Sequence, residues 1–145
     1  MSNLTELSRL VYVSKNTIPK AMLDDELRAI LDIAKEKNIN KNITGALLFN
    51  AGYFAQVLEG PMDAVEELFE RIQEDTRHIG CVILCCEPTK SRTFTKWSMA
   101  YEGADTAAKS EFSYMIKDSE LTNEILSADK IFKLIVEHIS QATTS

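Results

Sequence analysis

The chain has 145 residues, 45% of them hydrophobic, with a net charge of −6 and a pI near 5.0. That length suits one compact domain burying roughly two-thirds of its unfolded surface, and the acidic balance supplies no general field for gathering phosphate backbones, so direct nucleic-acid binding is not expected. No apolar tract approaches the roughly 20 residues of a membrane span, and Met1-Ser2-Asn3-Leu4-Thr5-Glu6 has no basic-then-apolar secretory pattern, so a cytoplasmic protein is the expectation.

Arg9-Leu10-Val11-Tyr12-Val13-Ser14, rich in β-branched and aromatic residues, predicts a first strand. Leu23, Leu27, Ile30, Leu31 and Ala34 then recur at helical spacing, with Asp24, Asp25 and Glu26 at the start, where a helix dipole favours anions. Asn38 follows as a candidate C-cap beyond that helix. Two strand-like runs, Ile43 to Phe49 and Tyr53 to Glu59, flank Asn50-Ala51-Gly52, whose residues tolerate a tight turn; the runs should pair antiparallel. Gly60-Pro61 ends the second run and opens a helix with proline near its first turn and Val65, Leu68, Phe69 and Ile72 as its buried stripe.

A fourth strand is expected over about Cys81 to Glu87 and, after a polar turn at Pro88 to Arg92, a fifth around Lys96 to Tyr101. Cys81, Cys85 and Cys86 read as reduced, packed thiols, and His78 and His138 add no paired ligand spacing, so no metal site is expected. The tail predicts a helix near Ala107 to Lys117 and a stronger one near Ala128 to Gln141, with Ala142 to Ser145 frayed. There is no internal repeat or low-complexity linker.

This order predicts an α+β fold: a ferredoxin-like five-stranded mixed sheet, βαββαββ, with two helices on one face. Both phases of the first strand are apolar or aromatic, which requires cover on the other face too, and the C-terminal helices are the candidates.

Some polar residues do not fit a plain core. Period-two counting puts Phe54, Gln56 and Leu58 on one face and Tyr53, Ala55 and Val57 on the other. Burying the Gln56 amide without partners costs on the order of 1–3 kcal/mol, so it either meets a structural partner or awaits a ligand. Leu10, Tyr12 and Ser14 share a face, as do Trp97 and Met99, and ordinary core packing accounts for these as well. Arg71, Asp75, Arg77 and His78 gather at and after the second helix, either as a solvated charged end or as a hold on the phosphates of a nucleotide.

Taken together, these residues resemble the BLUF family, whose name denotes blue-light sensing using flavin. The resemblance covers about Ser8 to Tyr101. It rests on Arg9-Leu10-Val11-Tyr12, Asn38 with Ile43-Thr44-Gly45, Phe54-Ala55-Gln56-Val57-Leu58-Glu59-Gly60, Arg71 with Asp75-Thr76-Arg77-His78, and Trp97-Ser98-Met99, in that order and spacing. It implies a photosensor domain over 8–101 with a helical extension, 102–145, packed on it, and no enzymatic activity. The implied cofactor is a flavin chromophore held between the two sheet-covering helices: FAD by family expectation, with FMN possible.

By the same resemblance Tyr12 is the photoactive phenol, Gln56 the amide between it and the flavin, and Asn38 a hydrogen-bond partner of the ring's polar edge. Arg71, Asp75, Arg77 and His78 match the flavin-contacting stretch, with the two arginines and His78 on the ribityl-phosphate side. Ile30, Ile43 and Ile72 are implied apolar walls. Trp97 and Met99 match the switching strand. Lys37 stands where family members vary, and no ring contact is assigned to it. Output is implied to pass to an unidentified downstream protein or through a homo-oligomer. Two alternatives stand beside this: a light-independent flavin- or nucleotide-binding regulatory module, and an acylphosphatase-like enzyme, whose Gly-rich phosphate loop is missing around Ser14 to Lys20.

Overall fold

The apolar run at the start of the chain becomes β1 (Leu7–Asn16), a strand with a neighbour on each side and buried side chains on both faces. The computed structural model describes residues 6–50, 53–95, 97–101 and 128–144. After β1 come α1 (Leu23–Asn40), β2 (Thr44–Asn50), β3 (Tyr53–Pro61), α2 (Met62–Glu74), β4 (His78–Thr89), β5 (Trp97–Tyr101) and α3 (Ala128–Thr144). The sheet order is β4-β1-β3-β2-β5. Every neighbouring pair is antiparallel except β2 and β5, which run parallel, giving the mixed sheet that the sequence implied.

Register aligns one row of residues across four strands. Tyr12 is opposite Gln56, Gln56 opposite Leu47, and Leu47 opposite Met99. Leu10, Tyr12, Leu47 and Leu58 pack with Leu27 of α1 and Val65 and Phe69 of α2. On the opposite face Val11, Val13, Ala55 and Val57 pack against Ile131, Leu134 and Ile135 of α3. Alternation along β1 and β3 thus sends one set of side chains toward α1 and α2 and the other toward α3.

Several boundaries differ from expectation. Helix α1 continues past Ala34 to Asn40, so Asn38 lies in its last turn and not beyond it. Lys35, Glu36 and Lys37 are good helix formers, and the four-residue step from Ala34 keeps Asn38 on the same stripe. The residue with cap-like left-handed backbone is Asn42, at φ 60°. Pro61 sits at the N-cap of α2, outside its first turn. Strand β4 is longer than expected and forms a sheet edge, with Ile79, Val82 and Ile83 exposed. For that reason the three free cysteines are not packed thiols throughout: Cys81 and Cys85 are half-buried and Cys86 is exposed. Helix α3 extends beyond Gln141, into the stretch expected to fray. Residues 51–52 of the hairpin turn and the helix expected at Ala107 to Lys117 lie outside the described residues. Among the described residues no helix is long and apolar enough to cross a membrane.

Candidate functional site

Helices α1 and α2 do not close completely over the sheet; between them lies a cavity of about 350 Å³, within the range of small-molecule sites. Ile30, Ile33, Ala34, Lys37 and Asn38 reach it from one stripe of α1, and Leu68, Arg71 and Ile72 from α2. Tyr12, Leu47 and Gln56 form its floor on the strands. Asp75, Arg77 and His78 line it beyond the end of α2. Of the expected site residues, Ile43 is not brought to this wall: it is core, 2% exposed, and its backbone N–H donates to Asn38 O at 2.9 Å. Leu47 and Lys41 line the cavity without having been singled out, Leu68 was expected only as core, and Lys37, to which no ring contact was assigned, lines it as well. Helical stepping from Ile30 through Ala34 to Lys37 carried part of that signal, but a lysine on a helix reads as its solvated side, and Lys41 lies just past the end of α1.

The Tyr12 hydroxyl donates to Gln56 Oε1. Both side chains are buried, and the phenol ring packs at 5.2 Å from the Phe69 ring. Burial, with smaller contributions from Cys81 and Asp75, pushes the phenol pKa well above its ordinary value, which keeps the hydroxyl a donor near neutral pH. The Gln56 amide nitrogen meets no hydrogen-bond partner among the described residues, and neither does the side-chain amide of Asn38, which is 4% exposed. Buried amides without partners are uncommon. Two of them on one cavity wall fit a ligand whose polar edge carries acceptors, and the aliphatic walls of Ile30, Ile33, Leu68 and Ile72 fit a flat apolar body.

The charged end of the cavity is internally bonded. Arg77 donates from Nε and Nη2 to Asp75 at 2.9 and 2.6 Å, and its Nη1 lies 3.4 Å from Glu26. The Arg77 side-chain hydrogen bond is the main cause holding the Asp75 carboxyl below its ordinary pKa. His78 Nε2 donates to Ile72 O at 2.6 Å and its Nδ1 lies 2.7 Å from Ser14 Oγ, so both ring nitrogens are engaged within the protein. Arg71 is exposed and pairs with Glu67 at 3.0 Å one helical turn away. On β5, Trp97 is opposite Gly45 and Met99 opposite Leu47; their side chains lie outside the described residues. Among the described residues no group of three His, Cys, Asp or Glu could hold a metal ion.

A family model described as BLUF, sensors of blue-light using FAD, matches residues 7–100. Photoactivated adenylate cyclase subunit beta of Euglena gracilis is 40% identical over 96 residues, 66% of this chain and 11% of the relative. The chain spans about a tenth of the length of the first curated relatives it matches. Among solved structures, BlsA in its photo-activated state aligns at 30% identity with a TM-score of 0.71, covering 92% of this chain and 94% of that one. BlrB, a BLUF protein in its dark state, aligns at 29% identity with a TM-score of 0.69, covering 96% of this chain and 98% of that one.

Proposed function

This chain belongs to the BLUF family, sensors of blue light using FAD, and from that premise we propose that Tyr12 and Gln56 carry its photochemistry. The segment is a sensor domain and not an enzyme. The observation that carries the proposal is the Tyr12 hydroxyl donating to Gln56 at a cavity wall, where the amide nitrogen meets no partner among the described residues.

A flavin held in this cavity would supply the absorption of blue light and an electron acceptor beside Tyr12. Tyr12 would give an electron to the flavin while its hydroxyl proton passes to Gln56 Oε1, the atom that accepts its hydrogen bond, and both would return when the charges recombine. Gln56 both donates and accepts, so a change of its orientation or tautomer alters what it offers the ring carbonyl. A stronger bond there moves the flavin absorption to longer wavelength. Asn38 would donate to the ring's polar edge, and Ile30 and Ile72, which line the same cavity, would cover its faces. Arg71, at the open mouth, faces the phosphate-bearing side, where Asp75 holds Arg77 and where Ser14 and Ile72 hold His78.

FAD is the proposed flavin; FMN would use the same ring contacts, and chromatography of the extracted pigment decides between them. We assign photosensing to residues 8–101, with Trp97 and Met99 on its switching strand, and output to 102–145. That output passes to a downstream protein or a second copy of the chain, in the cytoplasm. The Euglena relative is by its name a photoactivated cyclase, which supports control by light of something beyond the sensor.

The test is the visible spectrum of the purified protein before and during blue illumination. A flavin spectrum that moves reversibly to longer wavelength is the expected result. A flavin spectrum indifferent to light favours a light-independent flavin module, and a colourless protein that takes up no flavin defeats both readings.

A further inference from the structure

Glu59 lies three residues beyond Gln56 on β3, opposite Arg9, and its side chain is fully buried. Its two oxygens serve different parts of the molecule. Oε2 accepts from Arg9 Nε at 2.8 Å. Oε1 accepts from the backbone N–H groups of Thr93 and Phe94, each at 2.8 Å, in the segment leading into β5. Arg9 in turn donates from Nη2 to Thr93 Oγ1 at 2.9 Å, and its guanidinium lies 4.5 Å over the ring of Phe132 on α3. The Phe94 ring meets Phe132 edge-on at 6.2 Å.

Among the described strands β5 is a sheet edge paired with β2, so its lead-in is a second attachment. Helix α3 covers the sheet face opposite the cavity, so a change at Gln56 must reach it through the strands. We propose that the ion pair between Arg9 and the buried Glu59 is a positioning device that ties β5 and α3 together and passes a change at Gln56 to α3. The proposal rests on the photochemical reading above. A buried carboxylate that loses one partner is left short of hydrogen bonds in a medium that cannot replace them. The two oxygens therefore respond together. If the lead-in shifts, Glu59 follows, and the rigid fork of Arg9 carries the movement to the Phe132 ring.

The experiment measures two quantities on the full-length, flavin-loaded protein: the flavin absorption shift, and hydrogen exchange of α3 in darkness and under blue light. The parent is expected to show both the shift and a light-dependent difference in α3. Glu59→Gln leaves one oxygen for Thr93 and Phe94 but turns an amide N–H₂ toward Arg9, so it cuts the arm to α3 selectively. Its expected result is an unchanged flavin shift with loss of the light-dependent difference in α3. Phe132→Leu removes the ring under the guanidinium while leaving the Arg9–Glu59 pair intact; it should give the same result, and it decides the matter if Glu59→Gln does not fold. A merely structural role would speed α3 exchange equally in darkness and light. Persistence of the difference in a folded variant overturns the proposal, as does its absence from a parent that shifts. A parent that binds flavin and shows no shift overturns the photochemical reading first, and this inference with it.

Discussion

Tyr12 and Gln56 stand directly opposite each other on β1 and β3, and the phenol donates to the carboxamide oxygen while Phe69 packs against the phenol ring. Tyr12→Phe keeps that ring packing and removes only the hydroxyl. Leaving the buried Gln56 oxygen without its donor should lower stability by about 1–3 kcal/mol. Flavin affinity should change by less than about tenfold, since the phenol hydroxyl bonds the amide and not the ring in this reading. The reversible absorption shift should vanish, which difference spectra taken before and after blue light will show. A full-sized shift in this variant would remove Tyr12 as the donor.

The buried phenol also gives an alkaline signature. Its folded-state pKa is raised, above all by burial, over an unfolded value of about 10. Below that unfolded value both states keep the proton and the stability contribution is complete. As pH rises above it the unfolded chain releases the proton first, so stability falls until the folded pKa is passed. The advantage of the parent over Tyr12→Phe in urea midpoint should therefore shrink between about pH 9 and about pH 11. A constant gap across that window would contradict the buried, protonated phenol.

Asn38 separates binding from folding. Its side-chain amide meets no partner among the described residues, so Asn38→Ala removes no side-chain bond among them, and within α1 alanine is the better helix former by up to about 0.7 kcal/mol. Stability of the flavin-free protein should hold or rise slightly. Flavin affinity should weaken roughly two- to tenfold, the equivalent of one neutral hydrogen bond. Thermal melting of the flavin-free protein and a fluorescence titration check the two halves, and undiminished affinity would take Asn38 off the ring's edge.

Much of the architecture was legible because alternation and helical spacing report faces directly: Leu10 and Tyr12 against Val11 and Val13 already require a sheet covered on both sides. Strand order is not written in that periodicity. The cysteines of β4 look like core until β4 proves to be an edge. Asn38 reads as a cap because asparagine is a modest helix former, whereas the cavity needs it inside the last turn of α1. Ile43 belongs to a recognisable motif, yet it packs at the end of β3 and not in the cavity wall. Glu59 is silent in sequence for a simpler reason: Arg9, its ion-pair partner, is 50 residues away, and an acid within an apolar strand announces no partner.

Gly60 tests how the end of β3 supports the site. A Cβ there would stand 2.9 Å from Asn42 O and 3.2 and 3.3 Å from Cγ1 and Cα of Ile43. Two of these atoms are backbone, and Asn42 O is also held by Arg92 Nη2 at 2.7 Å. On its other side Gly60 O accepts from Ser8 Oγ at 3.2 Å. Room must therefore come from shifting the 42–43 backbone, and Ile43 N–H is bonded to Asn38 O in the last turn of α1. Gly60→Ala should lose about 1–3 kcal/mol, the usual range for overpacking, seen as a lower urea midpoint with an unchanged slope. Because the displaced backbone leads to Asn38, flavin affinity should weaken in the same variant. Loss of stability with unaltered affinity would mean that the 42–43 turn moves independently of the cavity.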